Sequence, residues 1–243
     1  MGLDAMRFPF TVSTLSVWGA LALADCSGEA LEQHYEDARR QMVKEQLEAR
    51  DITNPAVIGA MGRVPRHLFV PTVLRPGAYA DHPLPIGEGQ TISQPYIVAL
   101  MTQLAEPEPD DVVLEIGTGS GYQSAILAEI VREVYTIEII PELFEDAIAR
   151  LKSLGYDNVT GKAGDGYLGW PEHAPFDAIL VTAAAPEIPP PLVEQLAPGG
   201  VLIIPVGPQG RIQKLLRIRK AVNGTTTTEE VSPVVFVPLV RER

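Results

Sequence analysis

Two carboxylates and a run of glycines carry the chemistry that this sequence can offer. Residues 113 to 121 read V-L-E-I-G-T-G-S-G. An apolar run of this kind suits a buried parallel strand, and the glycines let the chain bend tightly and let a ligand approach the backbone. The helix expected from Tyr122 presents unpaired N–H groups at its start. In dinucleotide enzymes the same strand–turn–helix carries G-x-G-x-x-G and faces a pyrophosphate. Here Gly117, Gly119 and Gly121 give G-x-G-x-G, and Tyr122 stands where the third dinucleotide glycine would be. That spacing suits a ligand without phosphate, such as S-adenosylmethionine. Glu115, Thr118, Ser120 and Tyr122 join the three glycines as candidate contacts.

Glu138 follows about twenty residues after the first glycine, at the end of a second expected strand, where a carboxylate can accept hydrogen bonds from both ribose hydroxyls. Gly164-Asp165-Gly166 closes the expected third strand. An aspartate between glycines can reach a ligand edge, here the adenine, so Asp165 and Gly166 complete the candidate cofactor set. All lie at the carboxyl ends of parallel strands, where open sheets bind ligands.

The elements that must position them follow from pattern. Strands are expected at Val112–Ile116, Val134–Glu138, Phe176–Thr182 and Val201–Val206, and helices at Tyr122–Arg132, Pro141–Leu154 and Pro190–Leu196. Pro141 near a helix start and Gly155 just past its end fit the usual asymmetry of helix termini. This alternation predicts an α/β fold, a doubly wound and mostly parallel sheet, with antiparallel strands from Ile212 to Val240 closing one edge. Before it, Leu31–Arg50 has helical spacing, with Glu36 four residues before Arg40. Asn54-Pro55 opens a further helix. Residues 63 to 96 hold Pro65, Pro71, Pro76, Pro83, Pro85 and Pro95, which predicts ordered loops rather than regular elements.

The chain has 243 residues, 46% of them hydrophobic, and a formal charge of −12, enough for one well-packed domain of ordinary size, or one domain with a short appendage. An acidic surface disfavours nucleic acid; Arg211, Lys214, Arg217, Arg219 and Lys220 alternate with apolar residues as one solvated face of a strand. One cysteine, Cys26, permits no internal disulfide, and four scattered histidines give a metal site no support. Residues 1–30 form an extension before a domain at 31–243. Within it, Arg7, the apolar residues 8 to 24 and Ala22-Leu23-Ala24 fit a secretory leader, too short to span a membrane; a loosely packed extension fits as well. A leader would place the protein outside the cytoplasm, whereas S-adenosylmethionine is a cytosolic metabolite. The cytoplasm is therefore the expected location, with export as the alternative.

Gly89-Gln90-Thr91-Ile92-Ser93-Gln94-Pro95-Tyr96 resembles the signature of protein-L-isoaspartate O-methyltransferases. Leu114 to Tyr122 looks like the cofactor loop of the same family, and Pro175–Ile179, Val181–Ala184 and Phe236–Leu239 match it in order and spacing. The likeness runs from about Arg39 to Leu239; the segment before about residue 35 departs from it. The resemblance implies a Rossmann-like, S-adenosylmethionine-dependent carboxyl methyltransferase. It would methylate the free carboxylate of L-isoaspartyl residues in damaged proteins, with D-aspartyl residues a second acceptor class left open. The ester closes to a succinimide, which partly reopens as normal aspartate. A carboxylate with a pKa of roughly 3.5 to 4 is already a nucleophile near pH 7, so no general base is needed. The enzyme must supply alignment and removal of water. Ser93 is the candidate donor that orients the carboxylate. The expected partners are isoaspartyl peptides and proteins, without nucleic acid, metal or stable membrane contact.

Three rivals remain. A different methyl acceptor is opposed by the charge and by the 89–96 segment. A dinucleotide oxidoreductase is opposed by Tyr122. An exported, non-catalytic relative is opposed by the intact loop with Glu138, Asp165 and Ser93. His67, Tyr79 and Asp81 read equally well as groove wall or packed loop and are left outside the site.

Overall fold

The structure is a computed structural model that describes the backbone of residues 17–241 and the side chains from residue 28. The start of the leader-like pattern, residues 7–16, lies outside the described residues. The chain divides into two units, Met1–Asp37 and Ala38–Arg243.

Helix α1 (Val17–Met42) runs into a wider turn of π-helix, Val43–Glu48, whose end is marked by the Ala49 N–H bonding Lys44 O five residues back. α2 (Pro55–Arg63) begins as expected: Pro55 occupies its first turn, and the Asn54 side chain accepts from the N–H groups of Ala56 and Val57.

The proline-rich stretch departs from expectation. It holds two 3-10 turns, Arg66–Phe69 and Thr72–Gly77, and a hairpin of β1 (Leu84–Gly87) and β2 (Gln90–Ile92). Helix α3 (Pro95–Ala105) follows directly. The hairpin turn puts both Glu88 and Gly89 at positive φ, the geometry that follows strand twist in a two-residue turn. Glu-Gly is a weaker sequence signal for it than Asn-Gly. Proline enters α3 at its first turn, where its missing N–H costs nothing.

The sheet has seven strands in the order β5-β4-β3-β6-β7-β8-β9. The parallel ones are β3 (Val112–Ile116), β4 (Glu133–Glu138), β5 (Val159–Ala163), β6 (Phe176–Val181) and β7 (Leu196–Val206). β8 (Gln213–Lys220) and β9 (Thr226–Val234) extend it antiparallel. Between them run α4 (Tyr122–Ala128), α5 (Pro141–Ser153) and the short α6 (Pro190–Glu194). The expected class is therefore the observed one. β3 and β6 are completely buried apart from Val112 and Asp177, as strands covered on both faces must be.

Two boundaries and one surface differ from expectation for identifiable reasons. α4 stops at Ala128 because the Asn158 amide donates to the carbonyls of Ala128 and Val131 and turns the chain into β4. β7 starts at Leu196, which pairs with Phe176 ahead of an irregular step through Pro198-Gly199-Gly200. The basic face of β8 is only partly solvated. The Arg217 side chain is 14% exposed and lies 2.5 Å from Glu106 at the end of α3, which Arg219 also reaches. Lys220 donates to the carbonyls of Val193, Glu194 and Leu196. These charges serve the protein's own helix ends.

Candidate active site

Strand order sets the place. The chain passes from β3 outward to β4 and β5, then returns with β6 on the other side of β3. The carboxyl ends of β3 and β6 therefore part at a topological switch point, where such sheets open a crevice. A cleft lies there, lined by the loop after β3, the end of β4, Thr182 and residues 237–240.

The loop after β3 is fastened on both sides. Gly117 N and Thr118 N donate to Ile137 O of β4. The Thr182 hydroxyl, just past β6, donates to the carbonyls of Ile116 and Gly117. Gly117 has φ +97°, and a Cβ there would stand 2.5 Å from the Thr182 oxygen, so no other residue fits. Gly121 is required for a different reason. Its Cβ would press on Leu151 of α5 at 3.2 Å, so it serves packing and does not line the cleft.

Glu138 braces the loop. One carboxylate oxygen accepts from Gly119 N at 2.8 Å, and the other from Ile139 N and Ile140 N at 2.9 and 3.0 Å. Oε2 keeps one further lone pair for a ligand hydroxyl, whereas both lone pairs of Oε1 are taken. Glu115 lies beneath the floor, with none of its surface exposed. One of its oxygens accepts from the hydroxyls of Ser124 and Thr136, and Thr136 in turn bonds Thr118. The other oxygen has no partner among the described residues. Burial pushes the Glu115 carboxyl up to about 8, so it is neutral at pH 7. Glu138 is the one other acidic side chain on the cleft wall among the described residues, and no Arg or Lys stands there to meet a pyrophosphate.

Of the expected residues, Ser93, Glu115, Gly117, Thr118, Gly119, Ser120, Tyr122, Glu138 and Gly166 line this cleft. Asp165 does not: its carboxylate accepts from Tyr167 N and caps the short turn Gly166–Leu168. The Ser93 hydroxyl makes no hydrogen bond among the described residues, so it does not serve the local turn before Pro95. A second, largely apolar groove adjoins the first. It is walled by Pro83, Gln94, Ile97, Ile212 and residues 233–237, and it shares Thr91, Ser93, Thr182 and Val237 with the cofactor-side cleft. Ser93 thus stands on the partition.

Sequence reasoning missed Thr182 and the wall formed by Val237–Val240. Thr182 follows a buried strand, so the strand-end rule could have found it. The 237–240 wall depends on a return of the chain, with Ala184 N donating to Val237 O and Leu239 N to Ala184 O. His67 is buried against the Tyr79 hydroxyl, and Asp81 pairs with Arg50 and Gln94; none of these three residues lines either cleft. No cluster of three potential metal ligands exists among the described residues, and none of their helices is long and apolar enough to cross a membrane.

The comparisons with known proteins agree with this geometry. The family model of protein-L-isoaspartate(D-aspartate) O-methyltransferase matches residues 37–243. The chain is 54% identical over 226 residues to protein-L-isoaspartate O-methyltransferase 1 of Nitrosospira multiformis, covering 92% of this chain and 96% of that one. It is 54% identical over 229 residues to the Opitutus terrae enzyme, covering 94% and 98%. Residues 37–243 alone cannot supply that coverage, so the likeness extends in front of residue 35, further than the motifs indicated. Among solved structures, a protein-L-isoaspartate O-methyltransferase aligns with a TM-score of 0.73 at 27% identity, covering 84% of this chain and 65% of that one. A Plasmodium falciparum protein described as a candidate enzyme of the same kind, solved with S-adenosyl-L-homocysteine, gives 0.72 at 28% identity, covering 84% and 99%. The chain belongs to the protein-L-isoaspartate(D-aspartate) O-methyltransferase family.

Proposed function

We propose that the protein's transfer of methyl from S-adenosylmethionine to L-isoaspartyl carboxylates takes place across the partition at Ser93, with the donor on the glycine-loop side and the peptide in the apolar groove. The observation that carries this division is the sharing of Ser93, Thr91 and Thr182 by the two clefts. The donor side fits a cationic nucleoside: a glycine loop too tight for a side chain at Gly117, one carboxylate at Glu138 and no basic residue on the wall. Glu138 would take a ribose hydroxyl on Oε2, and Gly166 would stand against the base, with Asp165 holding its turn. The bound donor supplies an electrophilic methyl on a sulfonium. The chain's own part is to present the acceptor.

An isoaspartyl carboxylate is ionised at neutral pH and needs no base. Ser93 would donate one neutral hydrogen bond that orients it, weak enough to leave its lone pairs reactive. The groove carries no charged side chain, so it displaces water around the acceptor without competing for its charge. Residues 31–243 would form the methyltransferase domain. D-aspartyl residues remain a second acceptor class, and the cytoplasm, where the donor is made, the working location.

A pair of synthetic peptides, identical except for isoaspartate or aspartate at one position, tests the reading. Methyl incorporation should be confined to the isoaspartyl peptide and should need S-adenosylmethionine. Equal labelling of both would sink the acceptor assignment.

A further inference from the structure

Arg66 has none of its surface exposed and is the bulkiest of the completely buried side chains. Its Nε donates to Ala78 O at 2.7 Å and its Nη2 to Ser93 O at 2.7 Å. The guanidinium carbon lies 4.9 Å from the centre of the Tyr122 ring. Nη1 has no partner, and no carboxylate pairs with the group among the described residues. Burial pushes the guanidinium down to about 10, against the pull of Tyr122 and Tyr79, so it is still a cation at neutral pH.

A buried charge without a counter-ion is costly. Methionine would fill the volume, and glutamine would bond a carbonyl, without that cost. Neither can bond two carbonyls from one rigid planar fork while stacking on an aromatic face. The three groups that Arg66 joins belong to three separate segments. Ala78 follows the second 3-10 turn, Ser93 stands on the partition between the clefts, and Tyr122 is the first residue of α4, directly behind the glycine loop.

We propose that Arg66 is a positioning residue for methyl transfer, fixing the main chain at Ser93, and so the direction of its hydroxyl, against the helix that carries the cofactor loop. Arg66 lines neither cleft, so it acts through Ser93, and the inference rests on the role given to Ser93 above.

The test uses the full chain with Arg66→Lys, Arg66→Gln, Ser93→Ala and the Arg66→Lys/Ser93→Ala double variant. Thermal melts, calorimetry with S-adenosylhomocysteine and steady-state kinetics on an isoaspartyl peptide are read together. Both single Arg66 variants should keep cofactor affinity and peptide KM within about threefold while kcat falls at least about tenfold, as expected of a misdirected group. Lysine keeps the charge but loses the fork, so it should not restore the rate. Added to Ser93→Ala, Arg66→Lys should cost less than about threefold more, because residues acting as one unit do not lose rate independently. Recovery of kcat by lysine, losses that multiply in the double variant, or failure of Arg66→Lys to fold would each overturn the proposal. An unchanged kcat in Ser93→Ala alone would remove the serine's role. A loss there with none in Arg66→Lys would remove only the arginine's.

Discussion

The two clefts that meet at Ser93 are made of different materials. The donor side is main chain. Its loop hangs on Ile137 O, on Thr182 and on the Glu138 carboxylate, and all three sit at the ends of buried parallel strands. The acceptor side is made of side chains from the end of a hairpin, the start of α3 and the stretch after β9, with Ile212 and Val235 largely exposed. The difference matches the two jobs. The methyl donor is the same molecule in every turnover, so its seat can be rigid and specific. Damaged proteins present a different sequence each time, which suits the largely apolar wall proposed as the acceptor seat, where the Ser93 hydroxyl would meet the carboxylate.

Three substitutions would break or sharpen this contrast. Ser93→Ala should have the largest effect, lowering kcat about a hundredfold, the usual loss for one preorganised donor. Affinity for S-adenosylhomocysteine in calorimetry should stay within about threefold. Parallel loss of both would mean that the partition does not separate the two functions. Glu138→Ala should do the reverse, weakening cofactor binding by roughly ten- to a hundredfold, the worth of hydrogen bonds to a charged group. Peptide KM at saturating donor should barely move, and an unchanged cofactor affinity would remove Glu138 from the donor seat.

The smallest effect is expected at Glu115. Its carboxyl is raised from 4.5 to about 8 by burial. Between those values the folded protein holds a proton that the unfolded chain releases. The stability it contributes is complete below about pH 4.5 and is lost as pH rises through about 8. Glu115→Gln keeps an acceptor for Ser124 and Thr136 but cannot ionise. It should cost less than about 1 kcal/mol near pH 5 and flatten the decline in stability between about pH 4.5 and 8. Urea melts at acid, neutral and alkaline pH would show this, and identical pH slopes in the two proteins would rule out the buried proton.

Much of the donor side was legible because its signals are local. The run Val112–Ile116, the glycines and Glu138 at a strand end can each be read within a few residues. The acceptor side was not, because its physics is tertiary. The prolines between 63 and 96 concealed a hairpin and the start of α3, where Pro95 sits in the first turn and its missing N–H does no harm. Glu115 reads as a loop contact, yet its packing turns it into a neutral brace under the floor. Asp165 reads as a ligand group, yet its shortest reach is to its own turn. Arg66 gave no signal at all, because nothing in a sequence reveals a cation that will be buried without an anion.

The wall formed by Val237–Val240 has a bearing on biosynthesis. Glycine loop, Glu138 and Gly166 all emerge from the ribosome well before this stretch, and the strands that carry them can pair as they appear. The nucleoside's seat still lacks a side until residue 240 is clear of the exit tunnel. On the proposed division, a nascent chain completes the seat of the methyl donor late, after its sheet is laid down.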